Sequence, residues 1–142
     1  MIYKNMYSTS VKKGDFHSDT ISFFENKNVL VTGGSGFIGS HVVEQLVQLK
    51  ANPLIISRSS SPKFLNNIKG LKILVGDLND KEFVSNCIDQ SQVVMHLAAS
   101  VAGIEYNKKH PASIFKDNME MFMNTIHAAA LNNNIERFLV TS

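Results

Sequence analysis

A single cysteine, Cys87, stands in a chain of 142 residues, so neither an intramolecular disulfide nor a cysteine-based metal cluster is available. One thiol fits a reducing compartment. The five histidines (His17, His41, His96, His110 and His127) show no metal-like pairing at i, i+3 or i+4. Excess charge is missing too: 14 basic residues face 12 acidic ones, for a net charge of +2, and the signs are interspersed. A nucleic-acid groove needs clustered positive charge on one face, so nucleic acid is not an expected partner. No apolar run reaches the ~20 residues of a membrane-spanning helix. The longest, Val93 to Ile104, is interrupted by His96 and Ser100. The N-terminus, Met1 to Ser8, has no basic segment followed by an apolar core, so no secretory signal is read there. Internal repeats of fixed period and low-complexity tracts are absent as well. The expectation is a soluble, cytoplasmic protein without a membrane partner.

What is present suffices for a core. Hydrophobic residues make up 44% and charged residues 18%, with a mean hydropathy of -0.03. That excludes a wholly disordered chain, and the length is that of one domain. Residues 1–26 stand apart. Lys4, Lys12, Lys13, Asp15, Asp19 and Glu25 mix there with isolated aromatics and no sustained period, which predicts a flexible or loosely docked arm.

Residues 27–142 alternate in texture. Asn28–Thr32 is a β-branched run ending in glycines. Ile38, Val42, Val43, Leu46 and Leu49 then form one apolar stripe at helical spacing, to about Lys50. Pro53–Ser57 and Leu71–Val75 read as strands, Lys81–Ile88 as a short helix burying Phe83, Val84, Cys87 and Ile88, and Val93–Leu97 as a fourth strand. Pro111 opens a long helix to about Leu131, and Arg137–Thr141 is a fifth strand. Nearly continuous apolar strands alternating with helices predict an α/β fold, a doubly wound parallel sheet covered on both faces.

Between the first strand and first helix lies Thr32-Gly33-Gly34-Ser35-Gly36-Phe37-Ile38-Gly39. Gly33 permits a tight turn, Gly36 lets the backbone approach a pyrophosphate, and Gly39 allows close helix packing. The helix start supplies unpaired N–H groups and a positive dipole for phosphates. An acidic residue ending the second strand would bind the adenosine ribose of NAD and repel a 2′-phosphate. Here that place holds Ser57 and Arg58, and Ile55 to Ser61 contains no carboxylate. Arg58 suits a phosphate through charge-assisted hydrogen bonds and stacks on adenine. NADP(H) is the preferred cofactor, with NAD(H) as the alternative.

The glycine spacing at 33, 36 and 39, preceded by Thr32, resembles the extended short-chain dehydrogenase/reductase family, also called the NAD-dependent epimerase/dehydratase family. Gly76-Asp77-Leu78 resembles its adenine-binding corner, His96-Leu97-Ala98-Ala99 its strand-end motif beside the cofactor, and Asn118 its helix asparagine. The resemblance covers Lys27 to Ser142. It implies a Rossmann fold in which Gly33, Gly36, Phe37, Ile38, Gly39, Ser57, Arg58, Asp77, Leu78, Leu97, Ala98, Ala99 and Asn118 bind the cofactor. For Asp77 two roles stay open, acceptor of the adenine amino group or N-cap of the following helix. Within the family, Val101-Ala-Gly-Ile104, Asn107, His110-Pro111 and Asn118-Met119 most resemble the GDP-L-fucose synthase branch, which epimerises and reduces a nucleotide-linked 4-keto sugar.

The family's chemistry uses a Tyr-x-x-x-Lys pair and an orienting Ser/Thr past the fifth strand. Tyr3, Tyr7 and Tyr106 are none of them followed four residues later by lysine, and the orienting residue is expected just after Ser142. No catalytic residue is assigned in this chain. The resemblance therefore implies the N-terminal, cofactor-binding part of a nucleotide-sugar epimerase/reductase, inactive alone and a homodimer at full length. A non-catalytic dinucleotide-binding or redox-sensing module is the alternative, as is an enzyme of the UDP-glucose 4-epimerase or dehydratase type.

Other side chains that look chemical are read as structural. His96, ending a buried strand, is expected to be hydrogen-bonded, and His41 and His127 to pack or face solvent. Met119, Met121 and Met123 beside Phe122 are expected to fill core, and Cys87 to be an inert buried thiol.

Overall fold

The computed structural model describes residues 15–60, 64, 65, 68 and 71–141. Its elements are α1 (Ser18–Phe24), β1 (Asn28–Thr32), α2 (Phe37–Gln48), β2 (Asn52–Ser57), β3 (Lys72–Val75), α3 (Lys81–Ile88), β4 (Val93–His96), α4 (Ile104–Lys109), α5 (Pro111–Leu131) and β5 (Arg137–Val140). The five strands form one sheet in the order β3-β2-β1-β4-β5, and every adjacent pair is parallel. The predicted Rossmann-type, doubly wound α/β architecture is the one found.

Alternation along the central strands builds two cores. Leu30, Leu54, Ile56 and Val94 face α3 and α5, where Val84, Cys87, Ile88 and Ala129 close over them. Val29, Val31, Ile55 and Val93 face the other way, under Val43 and Leu46 of α2. The flanking strands are less covered, with Val75, Leu139 and Val140 exposed.

Ile38 departs from the predicted α2 stripe and is 68% exposed. Its neighbour Gly39 faces the glycine turn, and one residue rotates a helix by about 100°, which turns Ile38 outward. Met119 and Met123 are also exposed. Only Met121 of the three methionines packs against the core, because α5 buries one stripe and these two lie off it.

The arm is ordered at its C-terminal end. Residues 18–24 form α1, and Phe23 and Phe24 pack against the α2-side core. The Phe23 ring meets Lys27 Nζ at 4.2 Å, and Asn52 Nδ2 donates to Asn26 O at 3.1 Å. Residues 1–14 of the expected arm lie outside the described residues. A further element, α4, occupies the stretch around Tyr106, between β4 and α5.

Candidate functional site

β1 lies between β2 and β4. The chain leaves β1 for α2 on one face of the sheet and reaches α5 on the other after β4. The two departing connections leave a crevice at the strands' carboxyl ends, the usual ligand position in such sheets. Its cavity is ≈ 360 Å³ and is lined by Gly33, Ser35 and Gly36, by Ile56, Ser57 and Arg58, by Gly76, Asp77 and Leu78, by Leu97 to Ser100, and by Asp117 and Met121. A larger groove of ≈ 860 Å³ runs between α3 and the end of α5. It touches no strand end and none of the predicted binding residues, so the crevice is the candidate site.

The glycine turn is shaped by contacts that exclude side chains. Gly33 has φ +70, and a Cβ there would lie 2.7 Å from Ala98 N. A Cβ on Gly39 would lie 2.2 Å from Gly33 O and 2.7 Å from Gly34 Cα. Gly39 thus packs α2 onto the turn itself. Gly36 is different: its Cβ would meet only Gly33 O, at 3.2 Å. Gly36 caps α2 without a side-chain hydrogen bond, so the cap position itself adds no side-chain acceptor at the positive end of the helix. Phe37 and Ile38 are exposed and do not line the cavity.

The β4 wall is held by a buried polar hub. Thr32 Oγ1 lies 3.0 Å from His96 Nδ1 and accepts the Ala98 N–H at 3.2 Å, while Leu97 N donates to Thr32 O at 3.1 Å. His96 is 4% exposed, and burial pushes its pKa below the ordinary 6.5. It is a hydrogen-bonded, structural histidine.

Helix α5 braces both sides of the crevice. Asn118 does not line the cavity; its Oδ1 accepts from Ser100 N at 2.6 Å and its Nδ2 donates to Ser100 O at 3.2 Å. The buried Asn124 donates to Leu78 O at 2.9 Å. At the β3 corner, Asp77 Oδ1 accepts from Asn79 N at 2.9 Å. Asp77 is not the cap of α3, because Asp80 Oδ1 accepts from Glu82 N and Phe83 N, each at 3.1 Å. A side chain capping N2 and N3 must sit just before the helix, and only Asp80 does. Arg58 is exposed at the end of β2 and makes no hydrogen bond or ion pair among the described residues.

Of the predicted residues, Gly33, Gly36, Ser57, Arg58, Asp77, Leu78, Leu97, Ala98 and Ala99 share the cavity, while Phe37, Ile38, Gly39 and Asn118 do not line it. Ser35, Ile56, Gly76, Ser100, Asp117 and Met121 line it without having been singled out. Asp117 and Met121 sit four apart on α5 and so share a face of it, but which face meets the crevice is set by tertiary contacts.

A parallel sheet in this order, with a glycine turn at the point where the strand order reverses, defines the Rossmann class of α/β proteins. The sequence profile of the NAD dependent epimerase/dehydratase family matches residues 29–142, and the chain belongs to that family. It is 30% identical over 94 residues to a decarboxylating sterol-4-alpha-carboxylate 3-dehydrogenase of Dictyostelium discoideum, covering 66% of this chain and 28% of that one. It is 32% identical over 127 residues to UDP-glucuronic acid decarboxylase 6 of Arabidopsis thaliana, covering 84% and 34%. Among solved structures, the epimerase Mth375 of Methanothermobacter thermautotrophicus superposes with a TM-score of 0.75 at 28% identity, over 87% of this chain and 37% of its own. The chain thus spans about a third of the length of the relatives it matches.

Proposed function

We propose that the crevice holds NADP(H), and that the chain is the cofactor-binding part of an enzyme that epimerises and reduces a nucleotide-linked 4-keto sugar. The observation that carries the cofactor is Arg58, a guanidinium without a partner among the described residues, where a carboxylate would repel a 2′-phosphate. The residues present fit a dinucleotide. Backbone at Gly36 lies open toward the cavity for a pyrophosphate beside the α2 N-terminus. Leu97, Ala98 and Ala99 form an apolar wall, held by Thr32. When bound, the nicotinamide supplies hydride transfer; this chain's part is to hold and orient it.

The nucleotide-sugar substrate is supported by a relative named for UDP-glucuronic acid chemistry and by the Val101-Ala-Gly-Ile104 segment. Net reduction is supported by the cofactor, because cells keep the phosphorylated form mainly reduced. A redox-neutral epimerase retains its cofactor through the cycle and gains nothing from that poise. None of the 142 residues forms a Tyr-x-x-x-Lys pair, so the chain itself turns nothing over.

Titration of the chain with NADPH and NADH tests the cofactor, and NADPH should bind at least about tenfold more tightly, the value of one charge-assisted hydrogen bond. Equal affinities sink it. The reaction is tested in the protein bearing the catalytic pair, with a 4-keto nucleotide sugar and absorbance at 340 nm. Stoichiometric NADPH loss supports the reading; redox-neutral interconversion of UDP-sugars, or turnover of a sterol instead, overturns it.

A further inference from the structure

Asp117, Met121 and Asn124 fall at i, i+4 and i+7 of α5 and share one face of the helix. At one end of this stripe Asn124 is buried, and its Nδ2 donates to Leu78 O at 2.9 Å. In the middle, Met121 packs against the core cluster that contains Leu78 and also lines the crevice. At 1.5 Å per residue, Asp117 stands ~10 Å beyond Asn124 along the axis, where it lines the crevice too. The stripe therefore rises from the β3 corner to the cavity, with apolar surface below and a carboxylate above.

Three charged groups line this one cavity: Arg58, Asp77 and Asp117. No ion pair among the described residues joins them. Asp77 spends one oxygen on Asn79 N and keeps the other. Asp117 is half-buried, and its side chain makes no hydrogen bond or ion pair among the described residues. Its carboxylate is left able to accept from a donor on a ligand. The adjacent Asn118 cannot serve, since its amide is committed to Ser100 at both ends.

We infer that Asp117 is a specificity-determining residue that reads the purine of the bound dinucleotide. Asp117 and Asp77 each accept one N–H of the exocyclic amino group of adenine, while Leu78 and Met121 pack on the ring. The inference rests on the NADP(H) reading above, and adds a second acceptor drawn from α5. Its consequence is chemical. A 6-amino purine offers two donors to two carboxylates, whereas a 6-oxo purine turns oxygen lone pairs toward them and leaves a carboxylate unpaired. A site built to receive a donor rejects the analogue that lacks it.

The test uses the chain with NADPH and with nicotinamide hypoxanthine dinucleotide phosphate, which differs only in carrying the 6-oxo base. Wild type should prefer NADPH by about tenfold or more, the value of a hydrogen bond to a charged group. In Asp117→Asn the amide also donates, so the preference should fall toward unity. Asp117→Ala should weaken NADPH while leaving the hypoxanthine cofactor nearly unchanged. If both variants keep the wild-type base preference, or weaken the two cofactors equally, Asp117 does not read the base and the inference is overturned. Wild type binding neither cofactor would instead overturn the dinucleotide reading on which it rests.

Discussion

Thr32 Oγ1 and His96 Nδ1 lie 3.0 Å apart where β1 and β4 end. The same hydroxyl accepts the Ala98 N–H, and in a neutral ring the His96 tautomer sets which partner of the pair donates. Burial favours that neutral state and lowers the His96 pKa from 6.5. An unfolded chain therefore binds a proton that the native one refuses. Stability is fully present above pH ~6.5 and is lost as pH falls from there toward the lower native pKa. Melting temperatures between pH 7.5 and 5.5 should decline. His96→Asn keeps an acceptor near Thr32 but does not titrate; it should lower stability overall and flatten the slope. A slope as steep in the variant as in wild type would assign the pH dependence to other groups.

Two glycines of the turn, Gly36 and Gly39, should respond differently to substitution. Gly39→Ala forces a Cβ to 2.2 Å from Gly33 O, a backbone contact that cannot give way like a side chain. A loss of ~3 kcal/mol, at the upper end of overpacking costs, is expected in denaturant titration. Gly36→Val meets only one atom, at 3.2 Å, from φ -82, and should cost about 1 kcal/mol as a poor N-cap. Yet it puts a side chain where the pyrophosphate approaches, so dinucleotide binding should disappear. Wild-type affinity in Gly36→Val would remove the phosphate-cradle role from the turn.

Cys87 should be silent toward thiol reagents in the folded chain. It is 2% exposed, and burial pushes its pKa up to about 11 against a smaller opposing pull from Lys72. Only roughly a thousandth of the thiol is thiolate at pH 8, and the thiolate is the reactive form. Reaction with an aromatic disulfide reagent should run at the rate of unfolding and quicken with denaturant. Rapid labelling under native conditions would contradict the packing of α3 against the sheet.

Strong periodicity made the sheet, α2, α3 and α5 legible, because apolar strands buried on both faces and a helix stripe each impose a period on the residues. Short elements held by tertiary contact impose none. α1 is 7 residues and α4 is 6, too short for a pattern to repeat. Lys81–Ile88 was read at its observed bounds, and those bounds already put Asp80 rather than Asp77 at the α3 cap. The crevice was legible where backbone makes it: a glycine turn and strand ends have fixed places in this topology. Asp117 was not, because its membership depends on how α5 is rotated. That rotation is set by Asn118 on Ser100 and Asn124 on Leu78, contacts between residues distant in the chain.

Cofactor choice should be reversible at the end of β2. Arg58 is exposed, so its attraction for a phosphate is screened by solvent and salt, but a bidentate contact retains directional hydrogen bonds. Arg58→Ala should weaken NADPH by roughly 10- to 150-fold, the range for a hydrogen bond to a charged group, and NADH far less. Ser57 is buried, and its Oγ accepts from Ser59 N at 3.1 Å, an interaction that an aspartate oxygen can replace. Ser57→Asp in the Arg58→Ala background then places a carboxylate where a ribose diol donates and a 2′-phosphate is repelled. The double variant should bind NADH more tightly than NADPH, read by titration of both cofactors at one ionic strength. If Arg58→Ala weakens the two equally, the guanidinium stacks on adenine without reading the phosphate, and the preference for NADP(H) falls.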